Sequence, residues 1–411
     1  MDHTVRDLAG RPTATAARDW LRRHDAEVLA WQRAIAEIPA PTGAEEARGS
    51  YVAERFAELG LEGVRTDAAG NVFGRLGPAQ APGAGIVLAA HLDTVFTAGT
   101  AHTVCAVDGR LVAPGICDNA RGLAALLAVA AALRHAGAVL TRPLTFVATT
   151  GEEGAGDLKG AKHLFEDPAF LPDAFIAVDG AGTDRVVHRA LGSRRLRAVY
   201  RGPGGHSWAA FGVANPAHAV GLAASGVAGM PLPPTPRSAA SVVRLGGGSS
   251  LNTIPQEAWL ELDLRSESET ALEEMYGGVT QALAKALHAV NRQRTAGTPS
   301  LILEIVPLGT RPSGSTAASH PLVQSAVAAT RLVGRTPDLA AASTDANVAI
   351  ARGIPGIALG SGGRGGDPHL PTEWYENTGG PDGIYRLLLE ALTIAGHTPG
   401  RPSARTGARA P

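Results

Sequence analysis

The sequence predicts an α/β protein: a mixed, largely parallel sheet sandwiched by helices, with an inserted ferredoxin-like α+β domain. Three observations carry this. Short apolar runs alternate with helical periodicities as far as Gly192. Beyond it the order becomes strand, helix, strand, strand, helix, strand. The α/β alternation then resumes near residue 310. A discontinuous larger domain over 1–193 and 310–411 is therefore expected, with a smaller inserted domain over 194–309. Insertion is tolerated where chain ends lie close together, and 411 residues suit two cores better than one.

Each element has its own signal. Ala14–Ile38 is helical by pattern. Thr42 with Glu45 three residues on forms a capping box for a helix reaching Leu59. Strands are expected at Gly70–Leu76 and Gly85–Thr94; the second, GIVLAAHLDT, is a continuous apolar run and so a buried central strand. An Ala/Leu-rich helix covers Asn119–His135. The run PLTFVATTGEE ends in two acids, a helix follows near Lys159–Glu166, and a strand covers AFIAVDG, 174–180. The insertion reads as strands Leu196–Arg201, Ser238–Leu245, Ala258–Arg265 and Ser300–Leu308, with helices Ala214–Ala228 and Ser268–Asn291. Helices His320–Val333 and Thr344–Arg352, a strand Ile354–Leu359 and a helix Asp382–Ala395 close the pattern.

Composition excludes several classes. Apolar residues make up 45% of the chain, enough for large cores. The net charge is −1 and no basic stripe appears, which argues against nucleic acid and anionic membrane surfaces. Cys105 and Cys117 are too few for a disulfide framework, and their spacing matches no zinc module. The N-terminus lacks an apolar signal segment, and no apolar run approaches ~18 residues, so a cytoplasmic protein without a membrane span is expected. Thr398–Pro411 reads as a loose Pro/Arg/Ala-rich tail.

The chemistry lies at strand ends. In open α/β sheets, ligands bind beyond the carboxyl ends of strands. His91, Glu152, Glu153 and Asp179 stand at such ends. Asp118 opens the long helix, and His369 follows the glycine-rich loop GSGGRGGDPH. Individually, His91 reads as a core histidine, Asp118 as a helix cap and Asp179 as a turn acid. The adjacent Glu152 and Glu153 repel each other at an apolar strand end unless a cation offsets them. Asp93, two residues past His91, is placed to orient an imidazole ligand. Three carboxylates and two imidazoles hold two ions if one carboxylate bridges, and such mixed ligands suit Zn, Mn or Co better than Ca. Paired ions roughly 3.5–4 Å apart clamp a hydroxide and polarise a carbonyl. A spare carboxylate then moves the proton to the leaving nitrogen.

The segments AHLDTV (90–95), GICDNARG (115–122), TGEEG (150–154), VDG (178–180), GGHS (204–207) and LNTIP (251–255), with the late loop histidine, together resemble the co-catalytic dizinc metallopeptidase/deacylase family, metallopeptidase family twenty. The likeness covers about residues 15–396 in order, and GSRRLRAVYRGPGGHSWAAFG (192–212) and STDANVAI (343–350) look most like its peptidase T-like and glutamate carboxypeptidase branch. The resemblance implies a zinc-exopeptidase-like fold. It implies that His91 and Asp179 hold one metal, Glu153 and His369 the other, and that Asp118 bridges. Glu152 would be the general acid/base, Asp93 would orient His91, and the Asp118–Asn119 peptide would be cis. The inserted domain would serve dimerisation or act as a lid. His206 would reach the partner subunit's site, and Asn252 and Arg265 would hold substrate. Asp367-Pro368, just before His369, departs from the smaller residues usual there.

The expected activity is hydrolysis of an amide bond in a small peptide, by a di- or tripeptidase or other exopeptidase, with two divalent ions, Zn ahead of Co or Mn. The alternatives are an N-acyl-amino-acid deacylase on the same site and a non-catalytic dimer binding peptides or amino acids. A homodimer is expected. Serine hydrolases and zincins are disfavoured, since G-x-S-x-G and H-E-x-x-H are both absent. The glycine runs do not continue as G-K-[ST], which removes the nucleotide-binding reading. His102, His163, His188, His218, His288 and His320 have no paired acid in a suggestive frame.

Overall fold

The computed structural model describes residues 1–78, 85–232 and 234–398, so the expected tail lies outside the described residues except for Thr398. Two compact units are present. The first contains Met1–His188, Ser315–Ala340 and the chain from Thr344; the second contains Arg189–Gly314 with Ala341–Ser343.

The sheet of the first unit runs, in spatial order, Glu62–Thr66, Val72–Leu76, Leu144–Thr149, Ile86–His91, Ala174–Val178, Gly356–Leu359 and Arg185–Ala190. Its centre is parallel: Ile86–His91 pairs in parallel with both Leu144–Thr149 and Ala174–Val178, and the latter with Gly356–Leu359. Pairings toward both flanks are antiparallel. The central strands are buried along their whole length, which explains their unbroken apolar sequences. Helix Ala120–His135 packs on this centre, and every residue from Ala120 to Leu133 is buried. A helix apolar on all sides is stable only when covered on all sides.

Several elements differ from the sequence reading. Ala14–Ile38 is two helices, Pro12–Arg23 and Asp25–Glu37, preceded by a further helix Asp2–Ala9. The break is at His24, whose ring stacks on Trp20 at 4.4 Å between centroids and whose Nδ1 lies 3.0 Å from the Trp20 carbonyl. No glycine or proline marks this point. The strands Glu62–Thr66 and Arg185–Ala190 carried no clear alternation. A small second sheet was also unforeseen. It orders Arg364–Gly366, Trp374–Glu376, Arg110–Val112 and Cys105–Val107. It ties the glycine-rich loop to the chain entering Asp118.

The second unit is a four-stranded antiparallel sheet in the order Ser238–Gly247, Glu257–Ser266, Gly192–Arg201, Ile302–Arg311. That order with two helices is ferredoxin-like. Helix Glu269–Gln293 lays Leu272, Met275, Val279, Leu283, Ala286 and Val290 along one buried stripe, and Pro216–Ala228 packs beside it. Ser268 and Asn215 cap the two helices through their side chains. No helix among the described residues is long and apolar enough to cross a membrane.

Candidate metal centre

Parallel strands bring their carboxyl ends to one edge, and the acids meet there. His91 is the last residue of its strand and is buried. Its Nε2 lies 2.9 Å from Asp118 Oδ1 and 3.9 Å from Asp179 Oδ1. His369 Nε2 lies 3.0 Å from Glu153 Oε1 and 3.5 Å from Asp118 Oδ2. Asp118 therefore presents one oxygen to each imidazole. Ligand atoms of His91, Asp118 and Glu153 all fall within 4.8 Å of one another, a spacing suited to a metal ion. Asp367 and His369 both adopt left-handed φ, 55° and 66°, which turns the loop sharply before the ring reaches Glu153.

The backbone around these groups is fastened from behind. The Asp118–Asn119 peptide is cis. Asn119 Oδ1 accepts from the amides of Gly122 and Gly180, and its Nδ2 donates to the Val178 carbonyl at 2.9 Å. One side chain thus caps the long helix and joins Asp118 to the strand end before Asp179. The approach needs glycine at 122, where a Cβ would lie 2.1 Å from Asn119 Oδ1. Arg48, fully buried, donates to the Leu92 carbonyl at 2.8 Å and to that of Ile38, fixing the chain just past His91.

Asp93 faces the His91 imidazole and has a second role besides. The strand ends at His91, yet the Asp93 carboxylate still lies beside the ring. His91 Nδ1 lies 3.1 Å from the Asp93 carbonyl and 3.5 Å from its carboxylate. The carboxylate also accepts from the amides of Glu152 and Glu153 at 2.9 and 3.0 Å, and from Thr42 Oγ1 at 2.8 Å. Asp93 holds the two-glutamate turn in place, and Glu152 and Glu153 are both buried there.

The expected capping box is absent for the same reason. The helix spans Glu46–Glu58 with no side-chain cap; Thr42 serves Asp93, and Glu45 Oε1 accepts from Gly43 and, at 3.1 Å, from Gly151. Both residues brace the site.

Glu373 was not singled out in the sequence. Trp374–Glu376 pairs with Arg110–Val112, which carries Glu373 beneath residues 113–118. Its carboxylate accepts from the amides of Gly115 at 3.1 Å, Cys117 at 2.8 Å and Asp118 at 2.7 Å. Burial pushes this carboxyl up to about 7, against the pull of those amides. A glutamate four residues after a histidine, followed by Trp374, carries no sequence signal for this role.

His206, Asn252 and Arg265 belong to the second unit. His206 is exposed, pairs with Thr253 on a short ladder, and its Nδ1 accepts from the amides of Trp208 and Ala209. The Asn252 carbonyl accepts from the Ser207 amide, so Asn252 and His206 are local neighbours. Arg265 Nε donates to Asp263 at 2.8 Å.

The charges explain why a cation belongs here. Burial works against ionisation of Asp118, yet hydrogen bonds to His369 and His91 hold its carboxyl well below the usual range. Burial and then the Asp118 charge push Asp179 up to about 7. Hydrogen bonds to Asp118 and Glu153 push His369 up to about 10. Burial alone would lower His91, but its bonds to Asp118 and Asp93 raise it well above the ordinary imidazole value. Without a metal, protons supply the positive charge that the carboxylates require.

Imidazoles and carboxylates converging at the open edge of a parallel sheet define the class of metal-dependent hydrolases. Residues 87–389 match the model of Peptidase family M20/M25/M40, and the chain belongs to that family. It is thus an enzyme hydrolysing carbon–nitrogen bonds, of a metal-dependent family. The succinyl-diaminopimelate desuccinylase of Corynebacterium glutamicum is 27% identical over 257 residues, covering 61% of this chain and 69% of that protein. Aminopeptidase PepT from Bacillus cereus has a TM-score of 0.72 at 21% identity, covering 90% of this chain and 98% of its own. The di-peptidase Dug1p from Saccharomyces cerevisiae has a TM-score of 0.73 at 14% identity, covering 94% and 99%.

Two outcomes follow from this geometry. Metal loading should expel the protons on His91 and His369 and part of that on Asp179, roughly two or more per chain at pH 7. These pKa values are raised, so apparent metal affinity should climb as pH rises through 7 toward 10. Calorimetry in buffers of different ionisation enthalpy measures the release, and its absence would contradict the charge assignment. Glu373→Ala should weaken metal affinity about 10–100-fold by loosening the Asp118 loop; a competitive chelator titration reads this, and wild-type affinity would exclude the positioning role.

Proposed function

We propose that this chain is a cytoplasmic, homodimeric exopeptidase that cleaves an amide bond in a small peptide with two divalent ions. The donor set fits metal: two imidazoles and three carboxylates share one edge, and the metal-free charges are balanced only by protons. His91 and Asp179 would hold one ion, Glu153 and His369 the other, and Asp118 both. Zinc suits this set, with cobalt or manganese as alternatives. Bound there, the ions would polarise the substrate carbonyl and acidify water. The observation that carries the reading is Asp118, with one oxygen 2.9 Å from His91 Nε2 and the other 3.5 Å from His369 Nε2.

Glu152 is the group left to move protons. It takes one from the attacking water and returns it to the leaving nitrogen. Asp93 fixes its amide, so the carboxylate starts from a defined backbone position. Asn252 and Arg265 would hold the substrate, and His206 would donate to the developing oxyanion in the partner subunit. A second reading, N-acyl-amino-acid deacylation on the same site, is favoured by the likeness to the desuccinylase.

A hydrolysis panel of dipeptides, tripeptides and N-acyl amino acids separates the two readings. In it, Glu152→Ala should lower kcat by about 10²–10⁴-fold with metal content intact by elemental analysis. Undiminished turnover in that variant would remove the proposed mechanism. Mixing inactive His206→Ala with inactive Glu152→Ala subunits should restore about a quarter of wild-type activity after random exchange, through hybrids holding one intact site. No recovery under verified exchange would place His206 outside the partner's site.

A further inference from the structure

Beside the metal centre, and wholly within the first unit, lies a cavity of about 550 Å³. Asp118 and Asp179 form part of its wall. Arg185, Arg335 and Arg364 line the rest, with Asp184 as the other acid. All three arginines are exposed. Arg185 and Arg335 make no ion pair among the described residues. Arg364 lies 3.9 Å from Glu376, but that carboxylate also faces Arg110 at 3.8 Å, so two cations share one acid. Once metal neutralises Asp118 and Asp179, the guanidiniums leave the cavity with a surplus of positive charge.

The wall is built rather than loose. The fully buried Arg386 donates to the carbonyls of Thr183 at 2.5 Å, Arg185 at 3.1 Å and Gly360 at 2.7 Å, clamping the loop that carries Asp184 and Arg185. Part of the lining is bare backbone: a Cβ at Gly180 or Gly182 would meet nothing within 4 Å. This leaves room for an extended ligand beside the metal ligands.

Resting on the proposed hydrolase reading, we infer that this cavity selects substrates with a second carboxylate, bound by Arg335 with Arg364 and Arg185 while the scissile amide sits at the metals. Guanidinium forks match carboxylates bidentately, and a site built for that contact rejects an isostere without it. The substrate class is thus an acidic acyl amino acid or acidic short peptide.

Two measurements test this on the metal-loaded protein. The first is calorimetric binding of succinate against butyrate, which differ by one carboxylate. Wild type should prefer succinate by more than about tenfold; Arg335→Gln/Arg364→Gln should lose that preference, and Arg335→Lys should keep part of it. The second is kcat/KM for N-succinyl against N-butyryl amino acids, and for Glu- against Gln-containing dipeptides. The acidic member should lead by about 10–100-fold, with the loss in the double variant appearing in KM. Equal binding of the two acids, or succinate binding that ignores the substitutions, overturns the inference. So does brisk hydrolysis indifferent to the second charge, which leaves the hydrolase reading standing. Arginine-dependent succinate binding without hydrolysis of any substrate supports the anion site and instead overturns that reading.

Discussion

Carboxylates crowded together at one sheet edge are the constraint on which the site depends. Asp118, Glu153 and Asp179 repel one another where water screens them only in part, and positive charge makes their proximity tolerable. Protonated His91 and His369 meet that demand in the metal-free chain. A divalent ion meets it better, because the imidazoles then give it electron pairs where they held protons, and the carboxylates share its two positive charges. The same repulsion explains why so much of the surrounding chain is devoted to restraint.

That restraint comes mainly from side chains bonded to backbone. Asp93 grips the amides of Glu152 and Glu153, Glu373 those of Gly115, Cys117 and Asp118, and Asn119 those of Gly122 and Gly180. Each is an acceptor filling amides that no strand or helix uses, as a buried loop requires. The loops can therefore carry charged ligands without giving up a fixed shape. The arginine-lined cavity follows the same logic, with Arg386 satisfying carbonyls rather than amides.

Several misreadings share one cause. Thr42 and Glu45 have the spacing of a capping box, but their partners are Asp93 and Gly151, far along the chain. Asp93 follows His91 by two residues and faces its ring, but its carboxylate also holds the amides of the distant glutamate loop, which the spacing does not announce. Glu373 looks like any loop acid until Trp374–Glu376 pairs with Arg110–Val112. His24 breaks a helix by stacking on Trp20, with no glycine or proline to announce it. In each case a local pattern had several partners available, and distant packing selected one.

Legible in the chain alone are the alternation of buried strands and helices, the change to a ferredoxin-like order past Gly192, and the kinds of donor at strand ends. Those features are written in periodicity and residue chemistry, which act over a few neighbours. Folding in three dimensions settles that Asp118 faces two imidazoles, that Glu373 supports it, and that three arginines share a cavity with Asp118 and Asp179. These depend on strand order and loop closure across hundreds of residues, where contact is a matter of space and the intervening chain carries no record of it.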